Sequence, residues 1–487
     1  MRAVARVVAG LVALAPALAR AGDDVDLIPQ DVLDAKPTPA SAKPAATGSD
    51  ATPATQTDAA SASSAPRHTL RSKVFAEDAF SAWSPPVPVP VPYPSSLALA
   101  WQNRTSLDAS LQWKARPWLT LTLSDRLNVF EQDGQSFVSI DTVRNDLREV
   151  SATLQPTAGI YLDAGRINVR NGSALGFNPT DFFKTRTLVG QSSLDPSVIR
   201  QNRLGTLMVR AQTLWSWGSA SVAYAPKVAE PSPVTESNPV GIDPRFDATN
   251  AAHRVLTVLN LELFDLSPQL LGYFELHRSK LGANVTRSIG DAVVAYAEWA
   301  GGPEQDLIER AGAFGKQTGT LPVAAPVLPP TSTDNSFRND VATGFSWTVA
   351  TAVTFNVEYH FHESGFTRAD WKNWFDIGSA SGAPPPLTGA LWFVRGYAND
   401  QQEPVSQHQM FIRADWPRAF TPHLELSAFA FVSLMDGSVL SQLSASYYVS
   451  DAWTASAFVS ENFGAGRTER GSFPQRGNLI LQLTRYL

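Results

Sequence analysis

The chain contains no cysteine. That removes disulfide frameworks, thiol nucleophiles, thiolate metal sites and the cysteine that carries a lipoprotein anchor. Charge is also scarce: 17% of residues are Asp, Glu, Lys or Arg, against roughly 25% in soluble globular proteins. The net charge of −6 has the wrong sign for a general nucleic-acid binder. Beyond the extreme N-terminus no run approaches the ~18 apolar residues of a membrane-spanning helix, so a helical membrane protein is excluded. Neither a Gly-rich phosphate loop nor a Gly-x-Ser-x-Gly elbow is present. Hydrophobic residues nevertheless make up 44% of the chain, while mean hydropathy is only −0.11. Apolar and polar residues must therefore be finely interleaved.

The N-terminus reads as an export signal. Arg2 and Arg6 form a positive region, Val7 to Ala19 is a compact apolar stretch, and Ala17 to Ala19 or Ala19 to Ala21 offers the small-residue cleavage site. Removing residues 1–21 takes three arginines with it and brings the net charge from −6 to −9. Residues 22–67 form an extension whose stretch from Lys36 to Arg67 is Pro, Ala, Ser and Thr with almost no bulky side chains. Such composition buries too little surface to offset the cost of ordering, so the segment is expected to be disordered. Extended, it reaches on the order of 100 Å. It is either a bland periplasmic spacer or a tether to a partner.

From residue 68 to the end the dominant signal is period two. Leu119, Leu121, Leu123, Leu127 and Val129 alternate with Thr120, Thr122, Ser124, Arg126 and Asn128. Val353, Phe355, Val357, Tyr359 and Phe361 alternate with Thr354, Asn356, Glu358, His360 and His362. Leu424 to Val432 and Leu479 to Leu483 follow the same scheme, which is strand periodicity. The strands run nearer ten residues than the 5–6 usual in soluble sheets. Their connections alternate between tight turns, such as Ala115 to Pro117 and Ser450 to Ala452, and long loops near 171–203, 226–253, 301–337 and 363–405. Strands of ~9–11 residues with short turns on one side and long loops on the other are expected of an outer-membrane barrel. Trp113, Trp118, Trp215, Trp217, Trp416 and Trp453 fall at strand ends, where an aromatic girdle would place them. The fold class expected is all-β: a transmembrane antiparallel up-and-down barrel of about 18 strands, from 70–83 to 477–487, with both termini in the periplasm. Leu391 to Ala398 is either a further strand or a helix and is left in its loop.

Two stretches carry a resemblance. Asp163 to Gly172 reads DAGRINVRNG, and Gly176 to Phe183 reads GFNPTDFF. With the terminal strand Asn478 to Leu487, they resemble proteobacterial outer-membrane porins and are similar to the alginate-export-type large barrels. That resemblance implies eighteen strands and a charged, often Arg-rich lumen passing small solutes or polyanionic sugar polymers. It also implies outer-membrane lipid, lipopolysaccharide and the barrel-assembly machinery as partners, with a periplasmic export partner in the polymer case. The chain departs from such barrels at its last residue, Leu487, where Phe is common; Tyr486 is penultimate.

A lumen of sixteen to eighteen strands is too wide for side chains to fill, so its lining sets function. Alternation puts Arg104, Asp108, Lys114, Arg126, Arg210, Glu262, Glu275, Glu358, Arg413, Asp415 and Glu425 on the inner face. Arg166 and Arg170 share parity with lipid-facing Ile160, Leu162 and Ala164, so they point inward only if Gly165 breaks the strand. Glu358, His360 and His362 have a spacing that could ligate a metal, but any polar strand face supplies it, and no metal or other cofactor is assigned. In the loop, Phe177, Phe182 and Phe183 are too apolar to hang in water; together with Asn178, Pro179 and Asp181 they are expected to pack into the barrel mouth and narrow it. The alternative is a loop folded over the outer rim. The expected function is a non-enzymatic channel in the outer membrane of a Gram-negative bacterium, for hydrophilic solutes or an anionic polysaccharide. A surface-binding or assembly barrel is the alternative; an outer-membrane hydrolase, whose Ser and His would be recognised by geometry, is the less favoured one.

Overall fold

The computed structural model describes residues 69–93, 98–133, 143–232, 240–241, 243–264, 266–275, 278–321, 335–350, 352–380 and 383–487. The signal sequence and the Pro-rich extension lie outside the described residues.

Eighteen strands close into one antiparallel barrel. In chain order the staves are β1 (Thr69–Trp83), β2 (Trp101–Arg116), β3 (Leu119–Gln132), β4 (Val143–Thr157), β5 (Ile160–Ile167), β6 (Thr206–Trp215) and β7 (Gly218–Ala225). A two-residue strand, β8 (Val240–Gly241), lies inside a loop and runs parallel to β4. The staves resume with β9 (Arg254–Leu261), β10 (Leu266–Glu275), β11 (Arg278–Ile289), β12 (Val293–Glu304), β13 (Ser336–Thr348) and β14 (Thr354–His362). They end with β15 (His408–Trp416), β16 (Leu424–Ser433), β17 (Val439–Ser450), β18 (Trp453–Phe463) and β19 (Gly477–Tyr486). Closure is made by β1 on β19, from Phe75 opposite Tyr486 to Trp83 opposite Asn478. Every stave is thus paired on both sides, which is what lets backbone cross hydrocarbon. The expected first strand is present, and the even count of staves leaves Thr69 and Tyr486, the two ends of the barrel, on the side of the short turns.

Parity fixes the outer face. Leu123, Val150, Leu154, Leu162, Val209, Leu270, Leu281, Leu443 and Leu481 project outward and are exposed. Trp113, Trp118, Trp217, Trp347 and Trp453 are exposed around the tight-turn end, as a girdle requires. The connection from β9 to β10 is tight: Leu263 bridges Leu266, and Ser267 and Pro268 belong to β10.

The loop 363–407 is not plain coil. After the short α1 (Pro196–Gln201), α2 (Phe246–Thr249) and α3 (Leu307–Gln317) in earlier loops, it forms α4 (Arg368–Gly378) and α5 (Pro385–Gln401), and α5 packs against both α3 and α4. A capping box, Thr367 with Asp370, starts α4, and prolines at the first positions start α5. The ambiguous Leu391 to Ala398 segment is therefore helical. Trp371, Trp374, Phe375, Trp392 and Phe393 give these helices a core of their own. Val91, from the Pro-rich loop after β1, is fully buried in it. Among the described residues no helix is long and apolar enough to cross a membrane.

Candidate permeation site

The 168–205 loop folds into the barrel, and the way in begins at Gly165. Its φ of +131° is open only to glycine, and a Cβ there would meet the Val150 carbonyl oxygen at 2.2 Å. Beyond it both Arg166 and Ile167 are buried, so strict alternation ends and the arginine turns inward. Arg166 donates to the Gly205 carbonyl at 2.9 Å and lies 5.5 Å over the Phe246 ring. The pairing of β5 with its neighbours stays in register across Gly165, so the turn is made by backbone conformation, not by an extra residue.

The loop is held by aromatic anchors and by two carboxylates reaching from the wall. Phe182 stacks on Tyr273 with ring centroids 5.0 Å apart. Phe183 meets the same ring edge-on at 6.3 Å. Both belong to a buried cluster with inward-facing Met208, Leu256, Val258 and Leu271. Glu298 on β12 accepts from the Ala174 N–H at 2.5 Å and from the Thr180 hydroxyl at 3.1 Å. Glu358 on β14 accepts from the Leu175 and Gly176 N–H groups at 2.6 and 2.8 Å, and from the Tyr296 hydroxyl at 2.6 Å. Gly176 is required by closeness: a Cβ would stand 2.6 Å from the Phe411 ring and 2.7 Å from His360. Asp181 takes a two-pronged contact from Arg203, at 2.8 and 2.9 Å, closing the loop on itself. Phe177 lies edge-on to His360 and His362, and Lys184 Nζ sits 4.2 Å over its ring while donating to the Asn178 carbonyl at 2.7 Å. Burial pushes the Lys184 ammonium down to about 8, against the pull of Glu403 and Asp181. Phe177, Asn178, Pro179, Asp181, Phe182 and Phe183 are all buried inside the barrel.

Facing this loop stands a wall of arginines on β2, β3 and β4. Arg104 and Arg126 both reach Glu77 Oε1 at 2.5 Å. Arg126 and Arg148 share Asp108, at 3.5 and 2.6 Å. Arg144 and Arg245 share Asp146, at 3.2 and 3.9 Å. Arg104, Arg126, Arg144 and Arg148, with Arg245 from the 226–253 loop, thus meet Glu77, Asp108 and Asp146, while inward Glu149 on β4 accepts from the Asn168 N–H of the loop at 2.9 Å. Arg104 also donates to Ser192 of the loop at 2.8 Å. Farther round, Arg413 bridges Asp195 and Asp415, and Arg210 pairs with Asp163.

Between loop residues 191–194 and the wall formed by β1, β2 and β17 to β19 lies a cavity of about 330 Å³. Arg104, Arg476, Gln102, Gln475, Asn462 and Asn478 are among its lining residues, and no carboxylate is.

Lys114 has inward parity at the tight-turn end of β2 and is exposed. Glu425 is at the same end and accepts from the Tyr448 hydroxyl at 2.7 Å. Glu262 lies beyond β9 in a turn, exposed, and its N–H bonds the Trp217 carbonyl; it is not on a stave. Glu275, the last residue of β10, accepts from Tyr273 at 2.5 Å. Arg170 follows the end of β5 and is half-buried. Glu358, His360 and His362 point inward but are buried, so they support the loop and do not face an open lumen. His360 is engaged with Glu358 at 2.7 Å and His362 with Asp340 at 2.7 Å.

Sequence reasoning missed Arg144, Asp146 and Arg148, and the reason is one extra residue. On β4, Glu149 opposes Ser124 and Leu147 opposes Asp125, leaving Arg148 as a bulge. Counting back from lipid-facing Leu154 and Val150 puts all three outward; the bulge turns them in. No sequence signal marks it. Glu77 and Glu298 lie at inward positions of their strands and could have been found by alternation.

No family model matches the sequence, and no curated protein matches it. Solved structures do. The crystal structure of a BenF-like porin from Pseudomonas fluorescens Pf-5 superposes with a TM-score of 0.50 at 8% identity, over 86% of this chain and 98% of that one. The structure of OpdK from Pseudomonas aeruginosa with vanillate gives 0.50 at 9%, over 86% and 98%. The alginate-export likeness drawn from DAGRINVRNG and GFNPTDFF finds no support in these matches; the two stretches are the entry into the inward loop and its aromatic anchor. At such identity the likeness concerns fold alone: this chain is a closed 18-stranded antiparallel barrel with the fold of those two porins, and its outward face carries the apolar band with which such barrels cross a membrane.

Proposed function

We propose that this barrel is a channel for small hydrophilic anions, carboxylates foremost. The single observation that carries the reading is the cavity beside the inward loop, which presents two guanidiniums and several amides and no carboxylate. Guanidinium holds carboxylate through paired donors and stays charged at any working pH. Arg126, Arg144 and Arg148 on β3 and β4, with Arg245 from the loop, continue a row of guanidiniums along the wall. A fixed, docked loop suits a solute of a few heavy-atom groups; an extended polysaccharide needs the loop to leave, and its seven anchors to the wall argue against that.

Swelling of proteoliposomes containing the purified barrel tests this. Small carboxylate salts, with vanillate as a convenient aromatic probe, should enter faster than neutral sugars of equal mass, and alginate oligomers should not enter. Equal or faster entry of the neutral sugars would overturn the reading.

A further inference from the structure

Two carboxylates stand on the outside of the barrel, where hydrocarbon should be. Asp78 on β1 has the outward parity of Phe80 and is exposed. Asp125 on β3 has the outward parity of Leu123 and Leu127. Six residues separate Asp125 from Leu119 at the tight-turn end, about 15 Å of height at ~3.3 Å per residue and ~40° of tilt, hence near mid-depth of a ~25 Å band. Asp78 lies below the ring pair Phe80 and Trp101 at the opposite rim, whose centroids are 6.3 Å apart. Their partners are neutral and on the same outward face: Asn103 and Thr105 reach Asp78 Oδ1 at 3.0 and 2.8 Å, and Asn145 reaches Asp125 Oδ1 at 3.1 Å. Elsewhere the outward positions include exposed Leu270, Leu281, Leu443 and Val459, with Thr257 and Thr343 among them, whose hydroxyls bond the Gly272 and Tyr296 carbonyls. Glu461 shares the outward parity of Val459 nearer the long-loop rim of β18.

A carboxylate against lipid tails is costly, and ionisable residues in a membrane almost always face protein or water. Water is on the other side of this wall. We propose that the outer face of β1 to β4 is covered by a second copy of the same chain, packed two-fold on the same stripe. The stripe complements itself: each side offers second carboxylate oxygens on Asp78 and Asp125 and second amide hydrogens on Asn103 and Asn145, and a two-fold axis brings donors of one copy to acceptors of the other. A second observation points the same way. Next to Asp78 the outer wall is hollowed by about 510 Å³, where small Ala445, Ala455 and Ala457 lie between Phe80, Tyr447 and Leu481. A hollow beside a polar stripe offers relief into which a protein surface keys.

The absence of native cysteine makes the test clean. Leu107 projects outward between the two aspartates, opposite Ala76 and Leu127. Leu107→Cys, oxidised in isolated outer membranes with a lipid-permeant catalyst, should give a band at twice the monomer mass. Leu281→Cys, across the barrel on β11, should give none. Adding Asp78→Leu and Asp125→Leu to Leu107→Cys should lower the cross-linked fraction on the order of tenfold while the folded, heat-modifiable barrel persists. A monomer with no cross-link, a dimer that joins through Leu281→Cys instead, or a cross-link to a chain of different mass would each overturn the proposal.

Discussion

Glu358 is the carboxylate on which the inward loop depends most, and Glu358→Gln isolates it. The side chain is 1% exposed and accepts four hydrogen bonds, from Leu175, Gly176, Tyr296 and His360. Hydrogen bonds to a charged group contribute about 1.5–3 kcal/mol each and neutral ones about half that. Glutamine keeps the shape but removes the charge and turns an NH₂ toward one of the two loop amides. The two loop contacts together then weaken by about 3 kcal/mol, roughly a hundredfold in the equilibrium between docked and released loop. Hydrogen exchange reads this directly, since opening of a local unit exposes its amides. Peptides covering Leu175 and Gly176 should lose roughly a hundredfold in protection, while those from β16 to β18 stay unchanged. Single-channel records should show new, larger conductance events. Unchanged exchange at Leu175 and Gly176 in a folded variant would refute the claim that Glu358 holds the loop.

Lys184 sets a pH dependence. Its docked pKa, near 8, lies below the ordinary value of 10.5, so the released loop binds more protons between those limits and docking strengthens as pH rises through that window. Open-channel flicker should fall between pH 8 and 10, and Lys184→Met should be quiet throughout; flicker that rises with pH would contradict the sign. Deleting Lys36 to Arg67 should leave a heat-modifiable barrel, because such low-complexity sequence adds nothing to a core; loss of the folded gel band would show otherwise. An epitope inserted at Gly319, beyond the end of α3, should be reached by antibody on intact cells and one at Arg116 should not; the reverse labelling would invert the barrel.

Most of the barrel was legible because its physics is local. A strand with lipid on one side and water on the other must alternate, so Leu119 to Val129 declares both its conformation and its faces. The asymmetry of short turns and long loops then orients the staves. Parity arguments fail where a single residue breaks them, and this happens twice, next to the site. Gly165 could be suspected because glycine inside a strand is conspicuous. The bulge at Arg148 could not, since arginine there looks like any other strand residue. The inner face of β9 and β10 misleads differently: Leu256, Val258 and Leu271 point inward because Phe182 and Phe183 cover them, so an apolar residue there means loop packing and not lipid. The helices in the 363–407 loop follow from Thr367, Asp370 and Pro385, signals that are clear only once the strand pattern is seen to stop.

The central claim is that anions pass along the arginine wall. The most direct measurement is the reversal potential of the purified barrel in a planar bilayer under a salt gradient, for the parent and for Arg104→Ser with Arg476→Ser. Both side chains line the cavity, and Arg126 remains to pair with Glu77 when Arg104 is lost. The account predicts an anion-selective parent whose reversal potential moves toward the cation side in the double variant. A cation-selective parent, or a reversal potential that the two substitutions leave unchanged, would contradict it.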